Sequence, residues 1–470
     1  VQVLSSGNTL PSATVIDLPI VAPDVDAFYE QFEGMLVGFS DTMVVSEYFE
    51  LARFGQIVLY PDARPYQFTD ENTPDVTGYA AHLDALARSM VILDDDDNIQ
   101  NSPLPNGVFY HPQPDGFGVG TQGTDYFRGG DTVSGLVGVL HWSWPGFGDN
   151  TWRIRPVPEA FSITFTPVNT RPATPADVGG NVTVASLNVL NYFTSIDGAD
   201  CAAIATNPLM QCRGADSQIE LDRQTQNTVA ALAAMDADVV GLVEIENNGT
   251  AVADLVAALN AQVGAGTYDY INTGIIGGDA IAVAIIYKPA VVSPVGTTAV
   301  LNDADFVNPF GGTTDRNRPA VAQSFEVTDN TNDDFGEVFT VVVNHLKSKG
   351  SSCSADGDAD LNDGAGNCNQ TRNAAADYMV NTWLPGNPTG VNDPDILIIG
   401  DLNAYASETP ITTIVNAGYT DLVDSFSGGA GYSYVFDGQL GYLDHALANS
   451  SLFPQVTGVT EWHVNADEVP

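Results

Sequence analysis

Five times between residues 186 and 445 an apolar run ends in a charged or amide side chain, and that recurrence constrains the fold more than any other feature of the chain. The clearest instance is Ile396-Leu397-Ile398-Ile399 followed by Gly400-Asp401-Leu402-Asn403. A short continuous apolar run of this kind reads as a buried strand. A strand alternates faces with period two, so Asp401 and Asn403 are expected to point the same way from its C-terminal end. Ligands of open α/β sheets usually sit at that edge, where a carboxylate beside an amide binds a metal or orients water on a phosphate. For the tetrapeptide alone, the competing reading is an Asp/Asn turn that closes a strand.

The other four segments repeat the design. Ser186-Leu187-Asn188-Val189-Leu190-Asn191-Tyr192-Phe193 delivers Asn188, and Asp238 to Glu246 delivers Glu244 and Glu246 on one expected face. Val341-Val342-Val343-Asn344-His345-Leu346-Lys347 delivers His345, with Lys347 on the same face if the strand continues, and Gly441-Tyr442-Leu443-Asp444-His445 delivers Asp444. Any one of them is explained by a strand cap; five that converge would make a metal-dependent hydrolytic site. Helical spacing separates them, at Leu221, Thr225, Val229 and Leu232, at Val252 to Leu259, and near Arg372 to Trp383. Strands interspersed with helices predict an α/β architecture with active groups at strand ends.

Length and charge bound the partners. A chain of 470 residues exceeds the usual single core, so two domains are expected. No apolar stretch reaches the roughly 18 residues of a membrane helix. Against 59 acidic residues stand 15 basic ones, a net charge of −44. Such a surface repels itself and any polyanion at low salt, which points to a saline setting and, by itself, against nucleic acid. Only three residues are lysines, Lys288, Lys347 and Lys349, and two of them follow His345 within four positions. A pocket that must attract phosphate against this background needs such a concentration, although a solubilising loop would look the same. Arg316 and Arg318, ahead of Pro319, are candidates for a further phosphate clamp. The four cysteines fall as Cys201 with Cys212 and Cys353 with Cys368, which reads as two local disulfides and an oxidising, extracellular compartment rather than a zinc site.

Residues 1–172 carry short β-rich runs, such as Gly34 to Phe39 and Phe161 to Phe165, and one helical pattern near Tyr79 to Met90. His82, His111 and His141 have no partner spacing and read as structural or solvated. The run Asp94 to Asp97 reads as a solvated turn. A Pro/Thr/Ala/Gly stretch over 173–180 looks like a linker to a second domain spanning 181–470.

Taken together, LNVLNYF, DVVGLVEIEN, NHLKSKG, GDLNAYASETP and GYLDHAL resemble the endonuclease/exonuclease/phosphatase superfamily, with its deoxyribonuclease I-like fold. Within it the resemblance runs to bacterial extracellular (ExeM/NucH-like) nucleases and covers about residues 178–470. Upstream, Glu33 to Val37 and Glu47 to Gly55 are similar to the oligonucleotide-fold-like region that precedes the catalytic domain there. The resemblance implies a four-layer α/β/β/α sandwich behind a smaller β-rich domain. It implies Glu244 and Asn188 as holders of a divalent cation, Mg²⁺ or Mn²⁺ with Ca²⁺ as a further candidate. Asp401 would position or activate water, Asn403 would orient water and phosphate, His345 would stabilise or protonate the departing group, and Asp444 would close the site. The implied activity is metal-dependent cleavage of extracellular DNA or RNA. Other phosphoester chemistries of that fold, a phosphatase or a lipid phosphodiesterase, are the enzymatic alternative, and a non-catalytic scaffold is the third reading.

Two departures stand out. The superfamily ends in a Ser-Asp-His motif on its last strand, which this sequence lacks, so a fragment that also begins inside its first domain is expected; His463 is the only late candidate to replace the histidine. Asp356, Asp358 and Asp360 alternate as calcium ligands do, but without the glutamate that closes an EF-hand loop.

Overall fold

The computed structural model describes residues 9–95, 97–100, 117–118, 120–157, 160–196, 213–311 and 315–468. Two main sheets and a two-stranded ribbon, Tyr434–Phe436 with Gln439–Gly441, lie within residues 184–449. The first has the order Val184–Tyr192, Val239–Glu246, Ile281–Tyr287, Asp269–Tyr270. The second has the order Val292–Leu301, Ala320–Val327, Val338–His345, Ile396–Asp401, Asp444–Asn449, Tyr419–Asp421. Among the described residues no strand pairs with the outer edge of Val184–Tyr192.

Alternation builds the layers. Val341 and Val343 face the space between the sheets, where they meet Val239, Val243, Val283 and Ile285, whereas Val342 faces outward against Ala375, Ala376 and Met379. On the far side of the first sheet, the helices Gln218–Met235 and Ala251–Val263 bury Leu232, Leu255 and Leu259 against Val240, Leu242 and Ile286. The result is a four-layer α/β/β/α sandwich. Gly241 marks how closely the sheets approach, since a Cβ there would lie 2.7 Å from Ile399 Cδ1.

Upstream lies a nine-stranded sheet running from Thr14 to Thr166 with its own core around Val37, Met43, Ile57, Leu93 and Leu140. The expected helix is found at Val76–Ser89, but of the expected strand Phe161 to Phe165 only Phe165–Thr166 forms. Asp94 corrects the solvated-turn reading of its run. It ends the strand Val91–Asp94 fully buried, because Arg153 at 2.6 Å and Arg155 reach it from the neighbouring strand. His82 hydrogen-bonds Gln439 at 2.7 Å, and His141 lies on the strand Val137–Ser143; His111 falls outside the described residues. No helix is long and apolar enough to cross a membrane among the described residues.

The two bodies are stitched together by polar contacts. Arg64 pairs with Asp467 at 2.7 Å, Thr69 donates to Glu408 at 2.8 Å, and Gln67 donates to the Phe436 carbonyl at 2.8 Å.

Candidate active site

Strand register does most of the assembly. In the second sheet His345 lies opposite Asp401, and Asp401 lies opposite Asp444, so three neighbouring strands set these groups side by side. The first sheet brings Asn188 and Glu244 to the same place. Asn188 Nδ2 reaches Glu244 Oε1 at 3.2 Å and Asp401 Oδ2 at 3.5 Å, and His345 Nε2 lies 3.7 Å from Asp401 Oδ2.

The strand ends are not simple extensions. Ile396–Asp401 stops at Asp401, and Asn403 sits in the left-handed region with φ 49°, where its backbone N–H donates to Asp401 Oδ1 at 2.9 Å. Turn and site are therefore one object, and a turn rather than period-two alternation joins the pair. Gly400 is required because a Cβ there would lie 2.1 Å from the Asn344 carbonyl oxygen. Glu244, with φ 68°, sits where the register of its strand shifts between Leu242 and Ile245. That bulge separates it from Glu246, contrary to the shared face expected for the two. Glu246 instead accepts from Thr194 N at 2.8 Å, Ser195 N at 3.1 Å and Asn248 Nδ2 at 2.7 Å, holding the neighbouring loop.

Buried charge dominates the electrostatics. Burial first, then the charge of Asp444, pushes Asp401 up to about 8 despite the Asn403 hydrogen bond. Burial likewise raises Asp444, although the Ser433 hydroxyl hydrogen-bonds it. His345 is held well below its ordinary value, first by burial and then by Arg318, Arg213 and Lys347, so it is a neutral imidazole at neutral pH.

The cations are deployed differently from the expectation. Lys349 pairs with Glu408 and also donates to the Ala365 carbonyl. Arg316 pairs with Asp356 at 2.6 Å, and Arg318 pairs with Asp279 at 2.9 Å while donating to the Leu346 carbonyl. The strand ends at His345, so Lys347 does not continue its face; its ammonium hydrogen-bonds Ser348 and Ser351, and burial lowers it to about 8. The calcium-loop reading also gives way. Asp358 is buried and caps the helix Asn369–Tyr378 through Thr371 N at 2.7 Å and Gln370 N at 3.2 Å, Asp356 is held by Arg316, and Asp360 accepts from Asn362 N. Cys353 and Cys368 form a disulfide; Cys201 and Cys212 lie outside the described residues. His463 stacks on Tyr432 at 3.7 Å and bonds its carbonyl, among Asp467, Arg64 and Arg128 rather than the site carboxylates.

Three groups escaped sequence reasoning: Glu408, which holds Lys349 and Arg372; Asp279, which holds Arg318 and Arg213; and Ser433 beneath Asp444. Their partners lie 11 to 66 positions away, and only the Glu after Ser in Ser407-Glu408 of the GDLNAYASETP stretch offered a local sign.

The residues suit a hard divalent cation. Among the described residues no group of three or more His, Cys, Asp or Glu side chains stands at metal-binding geometry. Yet Glu244 and the Asn188 amide adjoin, and Asp444 Oδ1 is buried without a hydrogen-bond partner. The Glu244 carboxylate would leave most of an octahedral shell to water, the usual way in which Mg²⁺ is held; Asn188 turns its Nδ2 to that carboxylate and its Oδ1 to Leu190 N at 2.9 Å, so its amide would have to flip to join as a ligand.

A model of the Endonuclease/Exonuclease/phosphatase family matches residues 186–466. No curated protein sequence matches the chain significantly. Among solved structures, an endonuclease/exonuclease/phosphatase family protein from Bacteroides thetaiotaomicron is 17% identical, with 57% of this chain and 83% of that one covered at a TM-score of 0.38. A mannosyl-6-phosphatase of the same organism is also 17% identical, with 57% and 86% covered at a TM-score of 0.37. D. rerio TDP2 complexed with single strand DNA product is 15% identical, with 57% and 84% covered at a TM-score of 0.32.

Proposed function

This chain belongs to the endonuclease/exonuclease/phosphatase family, and from that premise we propose that it is a secreted, divalent-metal-dependent phosphodiesterase that hydrolyses DNA or RNA. The observation that carries the reading is the meeting of Asn188, Glu244, His345, Asp401 and Asp444 from two sheets at one set of strand ends. Asn188, Glu244, Asp401 and Asp444 open onto one cleft that is also lined by Ser433, Tyr434 and Phe436. The Cys353–Cys368 disulfide and the charge of −44 support a saline, extracellular setting.

When bound beside Glu244 and Asn188, a cation (Mg²⁺ or Mn²⁺, with Ca²⁺ as a further candidate) would neutralise charge that develops on the phosphoryl oxygens. Asp401 in its ionised form, which the raised value places above about pH 8 in the metal-free site and which a neighbouring cation would extend to lower pH, accepts the proton of the attacking water. The Asn403 N–H fixes one oxygen of that carboxylate, and Asn188 Nδ2 approaches the other. His345, neutral in its buried setting, donates an N–H to the phosphate rather than delivering a proton from an imidazolium. Asp444 confines Asp401 from the neighbouring strand.

Digestion of plasmid and RNA at high salt, with and without chelator, tests the reading on the wild type, Glu244→Gln and His345→Ala. Chelator or either substitution should abolish cleavage. Unchanged nicking by Glu244→Gln overturns the metal role, and no digestion of either polymer by the wild type with Mg²⁺ or Mn²⁺ overturns the nuclease reading.

A further inference from the structure

The cleft holds two aromatic rings that hydrolysis does not use. Tyr434 and Phe436 alternate with Val435 on the strand Tyr434–Phe436, so both side chains leave one face. Their rings lie 6.3 Å apart and within 13° of parallel, and the residues are 45% and 51% exposed. They line the same cleft as Asn188, Glu244, Asp401, Asn403 and Asp444.

Tyr434–Phe436 pairs antiparallel with Gln439–Gly441, and this hairpin is held from both sides. Ser433, the residue before Tyr434, accepts hydrogen bonds from Leu443 N at 3.1 Å and Asp444 N at 3.2 Å, tying it to the catalytic strand. On the opposite flank Gln67 donates to the Phe436 carbonyl at 2.8 Å, and Gly438 N donates to Glu47 Oε2 at 3.0 Å. The upstream body, through the strand residue Glu47 and through Gln67 ahead of a short helix, thus fixes the rings beside the site, which lowers the ordering cost of binding.

Charge then selects the ligand chemistry. Lys349, Arg316 and Arg318 are committed to Glu408, Asp356 and Asp279, Lys347 is buried and held by the Ser348 and Ser351 hydroxyls, and the chain as a whole carries −44. Neutralising a run of phosphates cannot be the main source of affinity here. A neutral π-face remains, and every nucleobase has one to stack on it.

We propose that Tyr434 and Phe436 form a stacking platform for unpaired bases of a single strand next to the scissile phosphate. The proposal rests on the nuclease reading and adds to it the substrate class, single-stranded nucleic acid grasped by its bases. It gives the upstream body a part in catalysis, as the clamp that positions this platform.

The experiment measures binding by fluorescence anisotropy, in chelator so that nothing is cut. The probes are labelled oligothymidylate, oligouridylate and an abasic strand with the same number of phosphates. The wild type should prefer the base-bearing strands, and Tyr434→Ala with Phe436→Ala should erase that preference, weakening them by about ten- to a hundredfold per base while leaving the abasic strand unchanged. Tyr434→Phe and Phe436→Tyr should retain it. Affinity should also fall only gently with salt. Equal affinity of the wild type for base-bearing and abasic strands, including no measurable binding of either, overturns the platform; so does equal loss on all strands in the double variant. Comparison of the thymidylate and uridylate strands separates DNA from RNA. Selective binding without any cleavage once Mg²⁺ is added would leave the platform standing and defeat the nuclease reading instead.

Discussion

Asp401→Asn should abolish activity and yet stabilise the metal-free protein, by an amount that depends on pH. Burial and the neighbouring Asp444 carboxylate raise Asp401 from 3.8 to about 8. The folded chain therefore holds this proton more tightly than the unfolded chain does. The stability that goes with it is complete below about pH 4 and is lost as pH rises through about 8. Roughly four pH units at ~1.4 kcal/mol each set a ceiling of about 6 kcal/mol. Asparagine mimics the protonated carboxyl at every pH. Its Oδ1 can still accept from Asn403 N, but its Nδ2 would meet Asn188 Nδ2 where Asp401 Oδ2 now stands, at a cost of about 1 kcal/mol. The variant should be about 1 kcal/mol less stable than wild type at pH 4 and about 3–5 kcal/mol more stable at pH 9. Urea unfolding in chelator at constant high salt, from pH 4 to 9, measures the difference and cancels the groups common to both chains except Asp444, which loses a charged neighbour in the variant. A difference that is flat with pH, or a variant still less stable at pH 9, would refute the electrostatic reasoning. Cleavage should fall by about 10²–10⁴-fold if Asp401 is the proton acceptor.

Two further perturbations test the supports of the site. Glu408→Ala would strand the buried cations Lys349 and Arg372 and should cost about 3–5 kcal/mol by denaturant unfolding; Asp84→Ala, which breaks an exposed pair with Arg88, should leave the unfolding midpoint close to that of the wild type. A loss below about 1 kcal/mol for Glu408→Ala would mean that the network is not a structural anchor. Gly400→Ala places a Cβ against the Asn344 carbonyl at a φ of 121°, so it should cost at least about 2 kcal/mol and depress activity by displacing Asp401; wild-type stability and turnover would remove the close approach from the account.

The apolar runs with polar ends could be read directly, because a strand's buried and functional residues are contiguous in sequence. Ile281–Tyr287 is found at its expected bounds, and Val338–His345 and Ile396–Asp401 extend theirs by two residues to include the polar end. What period two could not supply was geometry at the ends. It put Glu244 and Glu246 on one face, where a bulge divides them, and it carried His345 on to Lys347, where the strand has already stopped. The strands Val292–Leu301 and Ala320–Val327 were not anticipated, the first because half-exposed, Thr- and Pro-bearing residues hide its alternation.

By itself the sequence located the buried runs of Val239–Glu246, Val338–His345 and Ile396–Asp401 and the polar residues Glu244, His345 and Asp401 near their ends, since those depend on local runs of residue type. Tertiary structure decided what each charge is for. A lysine beside a histidine looks like a phosphate grip until Glu408, 59 residues on, is seen to claim Lys349. An alternating aspartate loop looks like a calcium site until Asp358 is seen to cap a helix. Buried charges are stabilised by partners brought together through folding rather than through sequence proximity, and the same long-range packing sets Tyr434 and Phe436 beside the site.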